Sequence, residues 1–242
     1  MIEIDSVSIA VRGRTVLDNC SATLRTDTIT QLVGANGSGK TTLIRAIAGI
    51  QRYSGGIRFD GVDVARVRSN LYVCFDDAPV FPYLSGYENV RMLIGRHLPR
   101  RTIAEVAPEL ADHSLLRMSA RTLSHGQRKR LHLVAAFASG AHYLLLDEAL
   151  NGIDAPTVAE FGLALRAGAP HSTVLLTGHH EGTYGGLAER RLEILEGRLV
   201  ASDSVTGAAS RGGRFSSTSG LLGAVSRSLV YSSFARYSPL PT

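Results

Sequence analysis

The sequence predicts an α/β fold: a mostly parallel central sheet, an N-terminal antiparallel β layer and a small inserted helical subdomain. Three observations carry that expectation. Apolar runs at Ile29–Val33, Leu71–Phe75, His142–Leu146 and Thr173–Thr177 are continuous rather than alternating, as strands covered on both faces require. Helix-type segments separate most of these runs, and strands that alternate with helices pair in parallel. Ahead of them, residues 2–11 and 14–25 read as two strands of a β layer.

In the β layer, the first strand alternates through Ile2, Ile4 and Val7, and the second carries Val16, Leu17 and Leu24. Ile29–Val33 then feeds a glycine-rich loop and a helix-compatible segment, Leu43–Ala48, which stops near Gly49. Gly55-Gly56 opens a turn into Ile57–Phe59, and Asp60-Gly61 turns again, predicting a hairpin. From Ser85 to Thr122 the texture becomes helical, with Tyr87–Ile94 and Ile103–Leu110 separated by Pro99 and polar residues. Leu131, Val134, Ala135 and Ala138 repeat at helical spacing, so Ser124–Ala138 reads as a helix with Ser124 near its N-cap. Residues 85–139 are thus expected as a helical subdomain inserted within a domain spanning 1–205. Residues 155–167 suit a further helix, and Leu192–Leu195 with Leu199–Ala201 a closing strand pair around Gly197-Arg198. Beyond about residue 205 Ser, Gly and Arg dominate, and 206–242 is expected to be a disordered tail.

Composition narrows the class. A chain of 242 residues with 44% hydrophobic and 19% charged side chains has an ordinary soluble, globular profile. No apolar run approaches the roughly 18 residues that a membrane span needs. The N-terminal stretch MIEIDSVSIAVRGR meets acidic residues at once, unlike a secretion signal. Cys20 and Cys74 lack metal-ligand spacing and read as reduced thiols of a cytosolic protein. Net charge is +5, and taking away the four arginines of the acid-free stretch 204–242 leaves +1 for the body. A near-neutral body is not the profile of a nucleic-acid reader, so no nucleic-acid partner is expected.

The strongest local signal is Leu32–Thr42, LVGANGSGKTT, in which Gly34, Gly39, Lys40 and Thr41 fill the pattern G-x-x-x-x-G-K-[ST]. Glycines let the backbone curl until successive N–H groups face phosphate oxygens at a helix N-terminus. Gly34, Ala35, Asn36, Gly37, Ser38, Gly39, Lys40, Thr41 and Thr42 are therefore the expected triphosphate site. Lys40 can reach the β- and γ-phosphates as a point charge, and the Thr41 hydroxyl can ligate Mg²⁺. The plainer alternative is a glycine-rich turn that happens to hold a lysine. The strand before it, the helix after it and the scarcity of lysine (Lys40 and Lys129 alone among 26 basic residues) argue for phosphate.

A phosphate loop by itself leaves kinases, GTPases, helicases and transport ATPases open. Leu123-Ser124-His125-Gly126-Gln127, shortly before Tyr143-Leu144-Leu145-Leu146-Asp147-Glu148, shortens that list. The first segment resembles the LSGGQ signature of ATP-binding cassette (ABC) proteins and the second their Walker B strand. With His179 downstream, the resemblance runs over about residues 2–203, with its motifs in order. Asp147 ends an apolar strand, where open α/β sheets place ligands, and can hold Mg²⁺ through water. Glu148 is the candidate base that orients or deprotonates the attacking water. An acidic pair capping a strand can also be a plain solvated turn; the company of the other motifs favours chemistry. Ser124, Gly126 and Gln127 sit at a helix start, which favours a phosphate.

The resemblance implies more. ABC modules form head-to-tail dimers in which each signature covers the partner's γ-phosphate. This chain has one set of motifs, so it pairs with itself or with a second ABC ATPase, a two-fold homodimer being the default. Asn151-Gly152-Ile153-Asp154 matches the D-loop that crosses this interface, with Asp154 its acidic member. His179 matches the switch histidine at the γ-phosphate, which makes it, with Glu148, the expected catalytic pair.

Three departures stand out. Val11 occupies a position where relatives place an aromatic residue on adenine, so stacking of roughly 0.5–1.5 kcal/mol is absent and base selectivity is expected to loosen. The glutamine that relatives carry after the strand matching Leu71–Phe75 is missing; Asp76 or Asp77 stands there, and Asp76 is the expected oxygen ligand in its place. Ala149 and His125 replace a usual proline and a signature glycine, and neither side chain performs the chemistry. The resemblance therefore predicts an ATP- and Mg²⁺-dependent ATPase that powers a separate transmembrane permease from the cytoplasmic face of the membrane. The competing classes are a soluble ABC ATPase acting on nucleic acid or ribosomes, and a slow ATP-dependent regulator.

Overall fold

The computed structural model describes residues 1–95, 103, 110–111, 113–168, 172–178 and 186–202. All of them fall in the first of two units into which the chain divides, Met1–Val205 and Thr206–Thr242. The expected tail, and the expected helix Ile103–Leu110 apart from its two end residues, lie outside the described residues.

Strands β1 (Ile2–Val11), β2 (Arg14–Leu24) and β4 (Ser54–Phe59) make an antiparallel sheet in the order β2-β1-β4. The apolar positions pair with one another: Ile2 faces Leu24, Val7 faces Cys20 and Ile9 faces Leu17, all of them buried. The hairpin expected around Asp60-Gly61 shrinks to one bridge, in which Phe59 and Val62 exchange hydrogen bonds of 2.7 and 3.0 Å. The reason is that β4 spends its pairing on β1, where Ile57 meets Ile4 and Phe59 meets Ile2. Beyond the turn the chain leaves the sheet for a short helix, α2 (Val64–Val67), whose N-cap Asp63 accepts from the Ala65 N–H.

The central sheet runs β5 (Leu71–Cys74), β6 (Tyr143–Leu146), β7 (Thr173–Thr177), β3 (Thr28–Gly34), β8 (Arg190–Leu195) and β9 (Arg198–Ser202). The first five strands are parallel, and β9 closes the edge antiparallel to β8. Its continuous apolar runs divide between two cores by the period-two alternation of strands. Leu144 and Leu146 join Val174 and Leu176 on one face, whereas Tyr143 and Leu145 join Leu175 and Leu32 on the other. The second core also takes up the antiparallel sheet and helix α1 (Lys40–Ile47).

Between β5 and β6 lie helices α3 (Gly86–Ile94), α4 (His113–Arg117) and α5 (His125–Ser139). Ser85 and Glu88 form a capping box at the start of α3, and Gly95 ends it at φ 65. Helix α5 is buried on nearly every side from Lys129 to Ala138, as suits a helix lodged between the sheet and α3. Helix α6 (Ala155–Gly168) follows β6. No helix among the described residues is long and apolar enough to cross a membrane. Parallel pairing puts the C-terminal ends of β5, β6, β7 and β3 on one edge, so Asp76, Asp147, Thr177 and Gly34 all lie there.

Candidate active site

The loop after β3 is built to leave a helix start open. Its N-cap is Gly39 at φ 111, a left-handed conformation that side-chain-bearing residues avoid, and a Cβ there would stand 2.9 Å from Val16 Cγ1. No side chain caps α1 and no acidic residue occupies its first turn, so its N-terminal amides and the positive end of its dipole are left for an anion. Lys40 is buried, and its Nζ donates to the carbonyls of Gly34 at 2.8 Å and Ala35 at 3.1 Å, which braces the loop. The Ser38 N–H donates to Ala35 O at 3.1 Å, while its buried Oγ has no hydrogen-bond partner among the described residues.

Against this loop lies a cleft of about 440 Å³. Asn36, Gly37, Gly39, Lys40, Thr41 and Thr42 line one side, Glu148 another, and Val11 with Val16 the apolar end. Of the site residues expected from sequence, the fold gathers these loop residues, Val11 and Glu148 into one space; Gly34, Ala35 and Ser38 support the loop from outside that lining. Val16 was missed, because a valine within β2 carries the same pattern whether it packs inward or faces a ligand.

The carboxylate end is organised by a residue that no motif marks. Asp147, 2% exposed, follows β6 and donates its N–H to Cys74 O at 2.7 Å. The Thr177 hydroxyl donates to Asp147 Oδ1 at 2.7 Å and accepts from the Glu148 N–H at 2.9 Å. One hydroxyl at the end of β7 thus sets both acidic residues. Glu148 itself has φ 52, a strained conformation for a residue with a side chain, and such strain collects at functional sites. Asn151 Nδ2 donates to Glu148 Oε2 at 2.9 Å and steadies the carboxylate. His179 and its neighbour His180 lie outside the described residues, two and three positions after Thr177.

Asp76 follows β5 and is half exposed, with its Oδ1 2.6 Å from Lys129 Nζ. The same ammonium donates to the Glu148 carbonyl at 2.9 Å. Burial pushes the neighbouring Cys74 thiol up to about 12, so no thiolate stands here to act as a nucleophile.

Ser124, His125, Gly126 and Gln127 are not part of the cleft lining. Ser124 is the N-cap of α5 in a reciprocal capping box: its N–H donates to Gln127 Oε1 at 2.9 Å, and the Gln127 N–H to Ser124 Oγ at 3.2 Å. Gly126 lies so near the turn after β6 that a Cβ would meet Gly152 O at 3.0 Å. Asp154 caps α6, accepting from the Thr157 N–H and the Thr157 hydroxyl, each at 2.9 Å. These two bonds hold the Asp154 carboxyl below its ordinary value. Asp154→Ala should therefore cost about 1 kcal/mol in urea unfolding at neutral pH. A lowered carboxyl pKa stabilises above the unfolded value of about 4, and the contribution is lost as pH falls through the folded value. The gap between the two unfolding midpoints should accordingly close on acidification below pH 4.

The chain is similar to known proteins in sequence and in fold. A family model described as ABC transporter matches residues 17–151. The Bacillus subtilis protein YybJ, an uncharacterized ABC transporter ATP-binding protein, is 29% identical over 85% of this chain and 97% of its own length. The aliphatic sulfonates import ATP-binding protein SsuB of Cupriavidus necator is 34% identical over 80% of this chain and 65% of its own. A solved ATP-binding subunit of an ABC transporter superposes with a TM-score of 0.74 at 19% identity, over 84% of this chain and 89% of that one, a likeness of fold. The family match runs from β2 to Asn151 and so takes in the phosphate loop, the LSHGQ segment and the Asp147-Glu148 pair: the chain is an ATP-binding member of the ABC transporter family.

Proposed function

We propose that this chain binds and hydrolyses ATP, and that closure and reopening of a pair of such subunits drives a separate membrane-spanning permease from the cytoplasmic side. The observation that carries the reading is the single cleft shared by an uncapped helix start, Lys40, Thr41 and the strained Glu148. The amides at the start of α1 and the Lys40 ammonium bind the β- and γ-phosphates. Val11 and Val16 cover the base with aliphatic surface alone.

The residues fit a magnesium ion. The Thr41 hydroxyl and the Asp147 carboxylate are hard oxygen donors, with Asp76 the candidate for a third oxygen, and in the same phosphate loop the buried Ser38 hydroxyl is without a partner among the described residues. Among those residues no group of three or more His, Cys, Asp or Glu could hold a metal by itself, which suits an ion shared with substrate phosphates. Bound there, magnesium supplies neutralisation of charge developing on the transferred phosphoryl group. Glu148 takes the proton of the attacking water, with Asn151 holding the carboxylate in place. His179 is proposed as the donor to the γ-phosphate.

The signature residues Ser124, His125, Gly126 and Gln127 lie outside the cleft lining, with His125 and Gly126 against the Gly152 turn, which supports a role at a second subunit's nucleotide, with Asp154 at the same interface. Relatives named as import ATP-binding proteins support coupling to a permease. Purified protein is expected to release phosphate from ATP only with Mg²⁺, with EDTA abolishing turnover, and to co-purify from detergent extracts with an integral membrane protein. Absence of phosphate release both alone and with membrane partners would sink the ATPase reading. Co-purification of RNA or DNA instead would replace the permease.

A further inference from the structure

We propose that Lys129 is a positioning residue of the hydrolytic site, carrying the charge of Asp76 and clamping the turn that presents Glu148; the proposal rests on the ATPase reading above. Lys129 is one of only two lysines in the chain, the other being Lys40 of the phosphate loop. Its side chain is 7% exposed, an expensive place for an ammonium unless it is paired and hydrogen-bonded. Both conditions are met by segments far apart in sequence. Nζ lies 2.6 Å from Asp76 Oδ1, 53 residues away, and donates to Glu148 O at 2.9 Å, 19 residues away. Helix α5, the segment after β5 and the turn after β6 therefore meet at one atom.

That junction does two separable things. The first is mechanical. Glu148 sits at φ 52, and its backbone is held on both sides: Thr177 Oγ1 accepts from its N–H at 2.9 Å and Lys129 donates to its carbonyl at 2.9 Å. A strained conformation persists only while its surroundings over-determine it, so loss of the Lys129 clamp lets the turn relax and re-aims the carboxylate. The second is electrostatic. Asp76 is a carboxylate on the sheet edge where the phosphates bind, and without a counter-charge it repels them. Because Lys129 belongs to the helix that begins with Ser124, movement of that helix bears directly on the base.

A double-mutant cycle separates the two effects. ATP affinity is measured in EDTA with a fluorescent nucleotide analogue, so no metal ligation enters, and turnover is measured with Mg²⁺. Lys129→Met is expected to weaken ATP binding in EDTA about tenfold and to lower kcat about tenfold, within the span of couplings between residues of one network. The Asp76→Asn/Lys129→Met double variant, which removes both charges, should return affinity to within about twofold of the wild type, while its kcat stays about tenfold below that of Asp76→Asn because the clamp is lost. A purely structural lysine would not produce that split. If Asp76→Asn, which leaves the buried Lys129 ammonium without its counter-charge, gives no cooperative thermal melt, Lys129→Met and the double variant, in which no buried charge is left unpaired, still supply both readouts against the wild type. Wild-type affinity and kcat in Lys129→Met, or a double variant that binds ATP as weakly as Lys129→Met, would overturn the proposal. Wild-type protein that binds no ATP, like Lys40→Ala, would instead overturn the reading beneath it.

Discussion

Glu148→Gln is expected to bind ATP as the wild type does and to lose turnover by about 100- to 10,000-fold, the usual contribution of a positioned general base. The amide keeps the shape of the side chain and an oxygen that Asn151 Nδ2 can still donate to. It cannot accept the proton of water. Nothing in the phosphate nest changes, because Lys40 and the start of α1 are held by their own loop. With hydrolysis stopped and binding intact, the ATP-bound pair should accumulate, and light scattering in ATP should show twice the monomer mass. Comparison with Asn151→Ala would show how much of the effect is aim. Normal hydrolysis by Glu148→Gln would remove Glu148 as the base.

Lys40→Ala should act at the preceding step and lower ATP affinity by at least about 100-fold, as loss of one or two charge-assisted hydrogen bonds to phosphate implies. The substitution also removes the brace that Nζ gives the carbonyls of Gly34 and Ala35, so the nest loses its shape together with its charge. Core packing is left alone, since the second core draws on Leu43, Ile44 and Ile47 of the same helix. The thermal midpoint should therefore stay close to the wild type while nucleotide titration goes flat. Retained affinity would mean that backbone amides alone bind the phosphates.

Much of this site is legible in the chain before it folds. A phosphate loop is local chemistry: glycines for the curl, a lysine and a hydroxyl at set offsets, all within eleven residues. The Asp147-Glu148 pair is legible because it ends a fully buried strand, where open α/β sheets place ligands, shortly after the LSHGQ segment. Helix α5 announces its own start, since Ser124 and Gln127 are three apart, as a capping box requires. The hairpin expected after Phe59 was the weak point: turn residues say where a chain bends, and β4 found a better partner in β1.

Thr177, Lys129 and Val16 belong to a different category. Each lies in a strand or helix whose pattern is explained by packing alone, and each joins the candidate site only by lying against residues distant in sequence. Thr177 sets Asp147 and Glu148 from a neighbouring strand, because β6 and β7 pair in parallel and end together. From the sequence alone came the identity of the phosphate loop, the candidate base and the alternation of strands and helices, all of which rest on short-range spacing. The tertiary structure alone decided how the candidate base is held and that Asp76 pairs with Lys129, because hydrogen bonds between distant segments exist only after the parallel sheet has brought its strand ends to one edge.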